Sequence, residues 1–88
     1  MPTYLVDRDL PGMTVDQFAA AQRAAMQIAQ RFTAEGRPVR YIRSTFVPGE
    51  ARSVCLFEAC DAEQVRMLNE AVHIPFTRVS EALELMPL

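Results

Sequence analysis

The sequence predicts an α+β fold, a ferredoxin-like βαββαβ chain, and three observations carry that prediction. Residues 39–59 read as a β-hairpin, two alternating segments joined at Pro48-Gly49. A capped, amphipathic helical stretch lies on each side of the hairpin, and a strand-like stretch lies beyond each helix. Two right-handed crossovers around a hairpin then give a four-stranded antiparallel sheet of order 4-1-3-2, with both helices on one face and the other face bare.

The first strand is expected over residues 3–10. Tyr4, Leu5 and Val6 favour extended backbone, Asp7, Arg8 and Asp9 follow, and Leu10-Pro11-Gly12 ends the run in a loop. Apolar residues of both parities suggest burial on both faces, as in a central strand.

Thr14 opens the first helix with a capping box. Its hydroxyl accepts from the backbone N–H of Gln17, whose side chain reaches back to the N–H of Thr14. Asp16 suits the positive end of the helix dipole. Phe18, Ala21, Ala25, Ile28, Ala29 and Phe32 then form one apolar stripe. Gly36 supplies a left-handed terminus, and Pro38 prevents the helix from resuming.

The first hairpin strand, 39–47, alternates Val39, Tyr41, Arg43, Thr45 and Val47 with Arg40, Ile42, Ser44 and Phe46. Val47-Pro48-Gly49-Glu50 fits a type II turn, with Gly49 taking the positive φ. Residues 52–59 return, Val54 and Leu56 facing one way, Cys55 and Phe57 the other. Asp61 caps a second helix with Gln64 three residues on and Glu63 in the first turn. Val65, Leu68 and Val72 make its apolar face, and Arg66 with Glu70 makes an i, i+4 pair. That helix must end before Pro75, because a residue preceding proline avoids helical backbone. Residues 76–85 are the expected last strand, Val79 and Leu83 set against Arg78, Ser80 and Ala82.

At 88 residues the chain is one domain, 1–88. A domain of this size buries only about 60 to 70 per cent of the surface its unfolded form exposes, so a partner subunit is expected to help. The uncovered sheet face points the same way. Exposed apolar patches are rarely large in monomers, and a homodimer closing two sheets into a dimeric α/β barrel covers both faces at once.

No run approaches the roughly 18 apolar residues of a membrane span, and Met1-Pro2-Thr3-Tyr4 does not read as a signal peptide. The expected location is the cytoplasm, with no membrane partner. A net charge of −2 supplies no basic stripe for phosphates, so nucleic acid is not an expected partner either. With Cys55 in a strand, extended chain sets Cys55 and Cys60 about 16 Å apart at 3.3 Å per residue. A disulfide needs Cα atoms within about 7 Å, so both thiols are expected to be free, one packed in the sheet and one at a strand end.

Asp7, Arg43, Glu58 and Glu81 form the one constellation worth weighing, a single charge in each predicted strand with apolar neighbours at two-residue spacing. On a shared face, three carboxylates and a guanidinium would meet in a partly desolvated cleft. A retained proton or a bound cation would then relieve the like charges. Asp7, Glu58 and Glu81 become candidate metal ligands, and Arg43 with Tyr41 candidate ligand-binding groups. The other reading turns some strands the opposite way and leaves these charges solvated, or paired with Arg8, Arg40 and Arg78, because a one-residue slip reverses every side chain. His73, the lone histidine, reads as a helix-end residue near the last carbonyls.

Two-histidine metal spacing, nucleophile triads and glycine-rich phosphate loops are missing from the sequence. The RNA-recognition version of the fold needs a glycine and stacked aromatics on its third strand, and residues 52–58 have one aromatic and no glycine. The copper-chaperone version needs a cysteine pair after the first strand, where Leu10 to Met13 has none.

Tyr4-Leu5-Val6-Asp7-Arg8-Asp9-Leu10-Pro11-Gly12, Val39-Arg40-Tyr41-Ile42-Arg43-Ser44-Thr45-Phe46-Val47-Pro48, Cys55-Leu56-Phe57-Glu58-Ala59 and Ile74-Pro75-Phe76-Thr77-Arg78-Val79 together resemble a family of small bacterial proteins long classed as a domain of unknown function. That family includes a nickel-binding member from an actinomycete. The resemblance spans nearly the whole chain and implies a ferredoxin-like dimer and nickel binding. It carries over no individual ligand. A set of carboxylates would itself favour harder ions such as Mg²⁺, Ca²⁺ or Mn²⁺ over nickel.

Two functions are expected. One is a cytoplasmic homodimer binding Ni²⁺, another divalent cation or a small ligand at the sheet face, with no organic cofactor. The other is a cofactor-free dimeric α/β-barrel enzyme of monooxygenase, isomerase or cyclase type. There a carboxylate, tyrosine or histidine would move protons in an apolar cleft lined by Tyr41 and Phe46 or Phe57.

Overall fold

In the computed structural model, which describes residues 1–87, the order is β1 (Thr3–Asp9), α1 (Val15–Ala34), β2 (Val39–Val47), a 3₁₀ turn (Pro48–Glu50), β3 (Arg52–Ala59), α2 (Ala62–Ala71) and β4 (Arg78–Ala82). The sheet runs β2-β3-β1-β4 with every neighbouring pair antiparallel, the ferredoxin-like α+β arrangement. Among the described residues no helix is long and apolar enough to cross a membrane.

Local chemistry sets the helix ends as the sequence predicts. Thr14 Oγ1 accepts from Gln17 N at 3.1 Å while Gln17 Oε1 accepts from Thr14 N at 2.9 Å. Gly36, at φ 85°, turns the chain out of α1, and Thr33 Oγ1 bonds both Val39 N and Val39 O, tying the helix end to β2. Asp61 Oδ1 accepts from Gln64 N at 2.9 Å, but Gln64 Oε1 is buried without a partner, so the second cap is only half a box. The expected Arg66–Glu70 pair is replaced by Arg66 with Glu63, 3.7 Å apart and one turn earlier.

Both helices pack on the sheet face that carries Tyr4, Val6, Val39, Cys55, Phe57 and Ala59, which form one core with Phe18, Ala25, Ala29, Phe32, Val65 and Leu68. Phe18 stacks on Phe46 with centroids 5.2 Å apart, and Tyr41 lies tilted against Phe57 at 4.5 Å. Thr3, Leu5 and Asp7 are half-buried on the opposite, open face, so β1 is central yet not equally buried on both sides.

Three expectations are corrected. The hairpin turn is not type II: the chain makes a 3₁₀ turn, and Ala51 rather than Gly49 takes the left-handed conformation, φ 50° and ψ 45°. Its carbonyl accepts from Leu10 N at 2.7 Å, a tertiary bond that holds the strained residue in place. Residues 39–47 do not keep one parity, because the β2–β3 register shifts between Tyr41 and Arg43, with Ile42 as the extra residue of a bulge. And β4 stops at Ala82 rather than 85, because its partner β1 runs out at Thr3.

Candidate functional site

The bulge at Ile42 decides which side chains share a face. Before it, Val39 and Tyr41 point to the helices; after it, Ser44 and Phe46 do, while Arg43 and Thr45 turn to the open face opposite Leu56 and Val54. Tyr41 and Arg43, two residues apart, therefore lie on opposite sides of the sheet, and the pair does not line one pocket.

Of the candidate metal ligands, Asp7 and Glu58 share the open face with Arg43. Glu58 is opposite Thr3, four residues from Asp7, a separation of about 13 Å along the strands. Glu81 pairs in register with Tyr4 and so points toward the helix side. Asp7, Glu58 and Arg43 each have a partner. Arg78 Nε donates to Asp7 Oδ2 at 3.2 Å, Arg40 Nε to Glu58 Oε1 at 3.0 Å, and Arg43 to Glu84. Asp7 is also held by its backbone, its carbonyl accepting from Thr77 N at 2.8 Å. Among the described residues no three histidine, cysteine, aspartate or glutamate side chains gather as a metal site.

Residues 83–86, after β4, cross the open face. Glu84 reaches Arg43 on β2, at the far edge of the sheet from β4. Beneath this strap lies a cleft of about 360 Å³, its floor made by Leu5, Val54, Leu56 and Thr45. Leu56 is only 6 % exposed although it belongs to the open face, outside the main core. A separate groove of about 570 Å³ runs between α1 and β2, where Met26, Ala29, Pro38 and Tyr41 line it.

A second polar cluster sits inside the core, unforeseen in the sequence. Arg8 is 1 % exposed. Its Nε donates to Cys55 Sγ at 3.3 Å, its Nη1 to the carbonyls of Ile74 and Pro75 at 3.4 and 3.3 Å, and its Nη2 to Asn69 Oδ1. Asn69 is oriented in turn by its own bond to Val65 O at 2.7 Å. Cys55 Sγ also receives Ser44 Oγ at 3.1 Å and Tyr41 Oη at 3.3 Å, with Ser53 Oγ at 3.8 Å, and Tyr41 and Ser44 bond to each other. Two hydroxyl protons thus serve three contacts, and the sulfur is the common acceptor.

Burial opposes ionisation of the Cys55 thiol, yet the Arg8 guanidinium and the hydrogen bonds of Ser44, Tyr41 and Arg8 outweigh it, and the thiol ionises below its ordinary range. Burial and the neighbouring sulfur push the Tyr41 hydroxyl up. Cys60 is exposed, and both cysteines are free, as the strand spacing predicts. His73 sits just beyond α2 with φ 57°, its N–H donating to Glu70 O at 3.1 Å, which makes it a helix-end residue in left-handed backbone.

A signal for this cluster was present in two positions. Arg8 has the parity of Tyr4 and Val6 in a central strand, and Asn69 follows Val65 by one helical turn on the apolar stripe. Polar residues on buried parities call for partners within the fold.

The family model described as nickel responsive protein SCO4226-like matches residues 4–82. Among solved structures, the crystal structure of SCO4226 from Streptomyces coelicolor A3(2) aligns with a TM-score of 0.81 at 20% identity, covering 96% of this chain and 99% of that one. At that identity the likeness speaks for the fold. No curated protein sequence matches the chain.

Proposed function

We propose that this protein, which belongs to the nickel-responsive SCO4226-like family, works as a homodimeric metal-responsive binding protein whose open sheet face is the surface where two copies meet. The observation that carries this reading is the composition of that face. Leu5, Val54 and Leu56 form an apolar floor, and Asp7, Glu58 and Arg43 around it are each already neutralised within the chain. A face whose central charges are paired can meet its own copy across a twofold axis with little repulsion.

The side chains of a single copy do not by themselves fit nickel. Among the described residues the gathered donors fall short of a metal site, Asp7 and Glu58 are engaged by arginines, and the Cys55 sulfur is saturated by hydrogen-bond donors. The nickel response is therefore assigned to donors brought together by dimerisation, with Asp7 and Glu58 as the carboxylates of the meeting face. Glu81 is left outside that set by its register with Tyr4. Two free thiols suit a reducing compartment, in keeping with a cytoplasmic setting.

The enzymatic alternative wanted an apolar cleft lined by Tyr41 and Phe46 or Phe57. Phe46 and Phe57 pack beneath the helices, outside the groove that Tyr41 lines between α1 and β2, so the rings do not form that cleft together.

Light scattering on the purified full chain, with calorimetric titration of Ni²⁺, Mn²⁺ and Mg²⁺ into it and into Asp7→Asn and Glu58→Gln, tests the proposal. A dimer whose Ni²⁺ heat is diminished in both variants is expected. A monomer would overturn the dimer reading, and Ni²⁺ binding unchanged in both variants would overturn the assignment of the carboxylates.

A further inference from the structure

The polar cluster around Cys55 plays no part in the function proposed above. It lies within one chain and needs neither a metal nor a second copy. Arg8 and Asn69 are buried with the sulfur, and a fold keeps a buried cation only with compensation, which here comes from a thiol instead of a carboxylate.

The donors of Arg8 are not all used. A guanidinium carries five N–H groups, and the acceptors that meet it are Cys55 Sγ on Nε, the Ile74 and Pro75 carbonyls on Nη1, and Asn69 Oδ1 on Nη2. Among the described residues one Nη2 N–H is therefore left without an acceptor. Nε and Nη2 share the edge of the guanidinium that elsewhere grips both oxygens of a carboxylate. Here that edge holds sulfur on one nitrogen and has a donor to spare on the other, an arrangement that an oxygen attached to the sulfur would complete.

Tyr41 lines the groove of about 570 Å³ between α1 and β2, and its hydroxyl donates to Cys55 Sγ at 3.3 Å, so one half-buried ring touches both. Tyr41 and Ser44 also bond each other, so either hydroxyl proton can turn from the sulfur to the other oxygen and free a sulfur lone pair.

We infer that Cys55 is an oxidation site, where hydrogen peroxide converts the sulfur to sulfenic acid inside the Arg8 cluster. The thiolate attacks one peroxide oxygen; the S–O bond forms as the O–O bond breaks, and the sulfur gives up the two electrons that the peroxide gains. The transferred oxygen keeps its own proton. The leaving hydroxide takes up the proton that the thiol lost on ionising and departs as water. Arg8 and the two hydroxyls favour the ionised, nucleophilic form of the sulfur against the effect of burial. Cys60 lies about 16 Å away along extended chain, too far to resolve the product as a disulfide. An external thiol must restore Cys55, displacing water from the sulfur and then leaving as a disulfide with a second thiol.

Cys60 is exposed and serves as the control within the same molecule. The full chain is treated with hydrogen peroxide at neutral pH, quenched with catalase, unfolded, and labelled with dimedone for sulfenic acid and iodoacetamide for remaining thiol. Tryptic peptide 53–66 holds both cysteines and no methionine, so its fragment ions assign each label. At neutral pH an ordinary thiol is ionised to only a few per cent, and Cys55 is expected to lose its thiol about tenfold faster than Cys60. In chain unfolded by urea before treatment the preference should vanish. Cys60 reacting first, or both at one rate, overturns the inference, and so does a preference that survives unfolding, which would belong to local sequence. In Arg8→Gln the preference should be lost with the Cys60 rate unchanged; its persistence in a folded variant, checked by circular dichroism, overturns the role of the guanidinium. Should that variant not fold, the comparison of folded and unfolded wild-type chain decides.

Discussion

Arg8 Nε donates to Cys55 Sγ over 3.3 Å inside the core, and among the described residues no carboxylate joins the partners of that guanidinium. A buried cation costs several kcal/mol unless an anion and hydrogen bonds compensate it. The thiol is the one acidic group bonded to Arg8, and its lowered ionisation range follows from that neighbour together with the hydroxyls of Ser44 and Tyr41.

This pair makes stability depend on pH in a definite direction. An unfolded cysteine ionises near 8.5, and the folded one ionises lower. Above about 8.5 both states are ionised and the full contribution is present; as pH falls through the folded value it is lost. Urea unfolding between neutral and mildly alkaline pH should therefore show stability rising in the wild type and flat in Cys55→Ala. The Tyr41 hydroxyl, shifted upward, acts only above about 10 and leaves that window clear. Equal slopes in the two proteins would refute the ionic pairing.

Removing the cation should undo the sulfur's shift. In Arg8→Leu the Asn69 amide and two carbonyls lose their donor, and a cost of about 3 kcal/mol or more is expected for breaking a buried charged network. Thiolate absorbance followed against pH should show Cys55 ionising higher than in the wild type. The second measurement distinguishes an electrostatic role from simple loss of packing.

Ala51 and His73 hold left-handed backbone, at φ 50° and 57°. A residue with a Cβ pays about 1 kcal/mol there relative to glycine, partly offset by glycine's greater freedom in the unfolded chain. Ala51→Gly is expected to leave the fold unchanged and raise the unfolding midpoint slightly, while Gly49→Ala, at a position with ordinary φ, should not destabilise through backbone strain. A destabilised Ala51→Gly would show that strain at the turn is negligible.

The caps and the surface pairs should separate cleanly by size of effect. Thr14→Ala removes the hydroxyl that accepts from Gln17 N, leaving the backbone N–H of residue 14 to its bond with Gln17 Oε1, and should cost about 1 kcal/mol. Asp7→Asn and Glu58→Gln break pairs with largely exposed arginines, and each should cost less than about 1 kcal/mol, shrinking further in high salt. A loss of several kcal/mol at Asp7 or Glu58 in the absence of metal would mark them as structural.

Much of this protein is determined by the sequence alone. The order of elements, the Thr14 and Asp61 caps, the Gly36 terminus and the apolar stripes are local or periodic, so they can be read from spacing. Sheet order follows from connection rules, and free cysteines follow from strand geometry. The faces of β2 were decided only in three dimensions. One extra residue at Ile42 reverses every side chain after it, and a bulge depends on how β2 packs against β3 and the helices. That single shift parts Tyr41 from Arg43, sending one to the core and the other to the strap.

Likewise, β1 sets where β4 ends, a long-range pairing with no mark in residues 76–85, and residues 83–86 become a crossing segment instead of strand. The burial of Arg8 is also tertiary. Its parity hinted at the interior, but its partners Cys55, Asn69, Ile74 and Pro75 lie 47 to 67 residues away in the chain. Contacts of that separation are made by folding, and no local spacing encodes them.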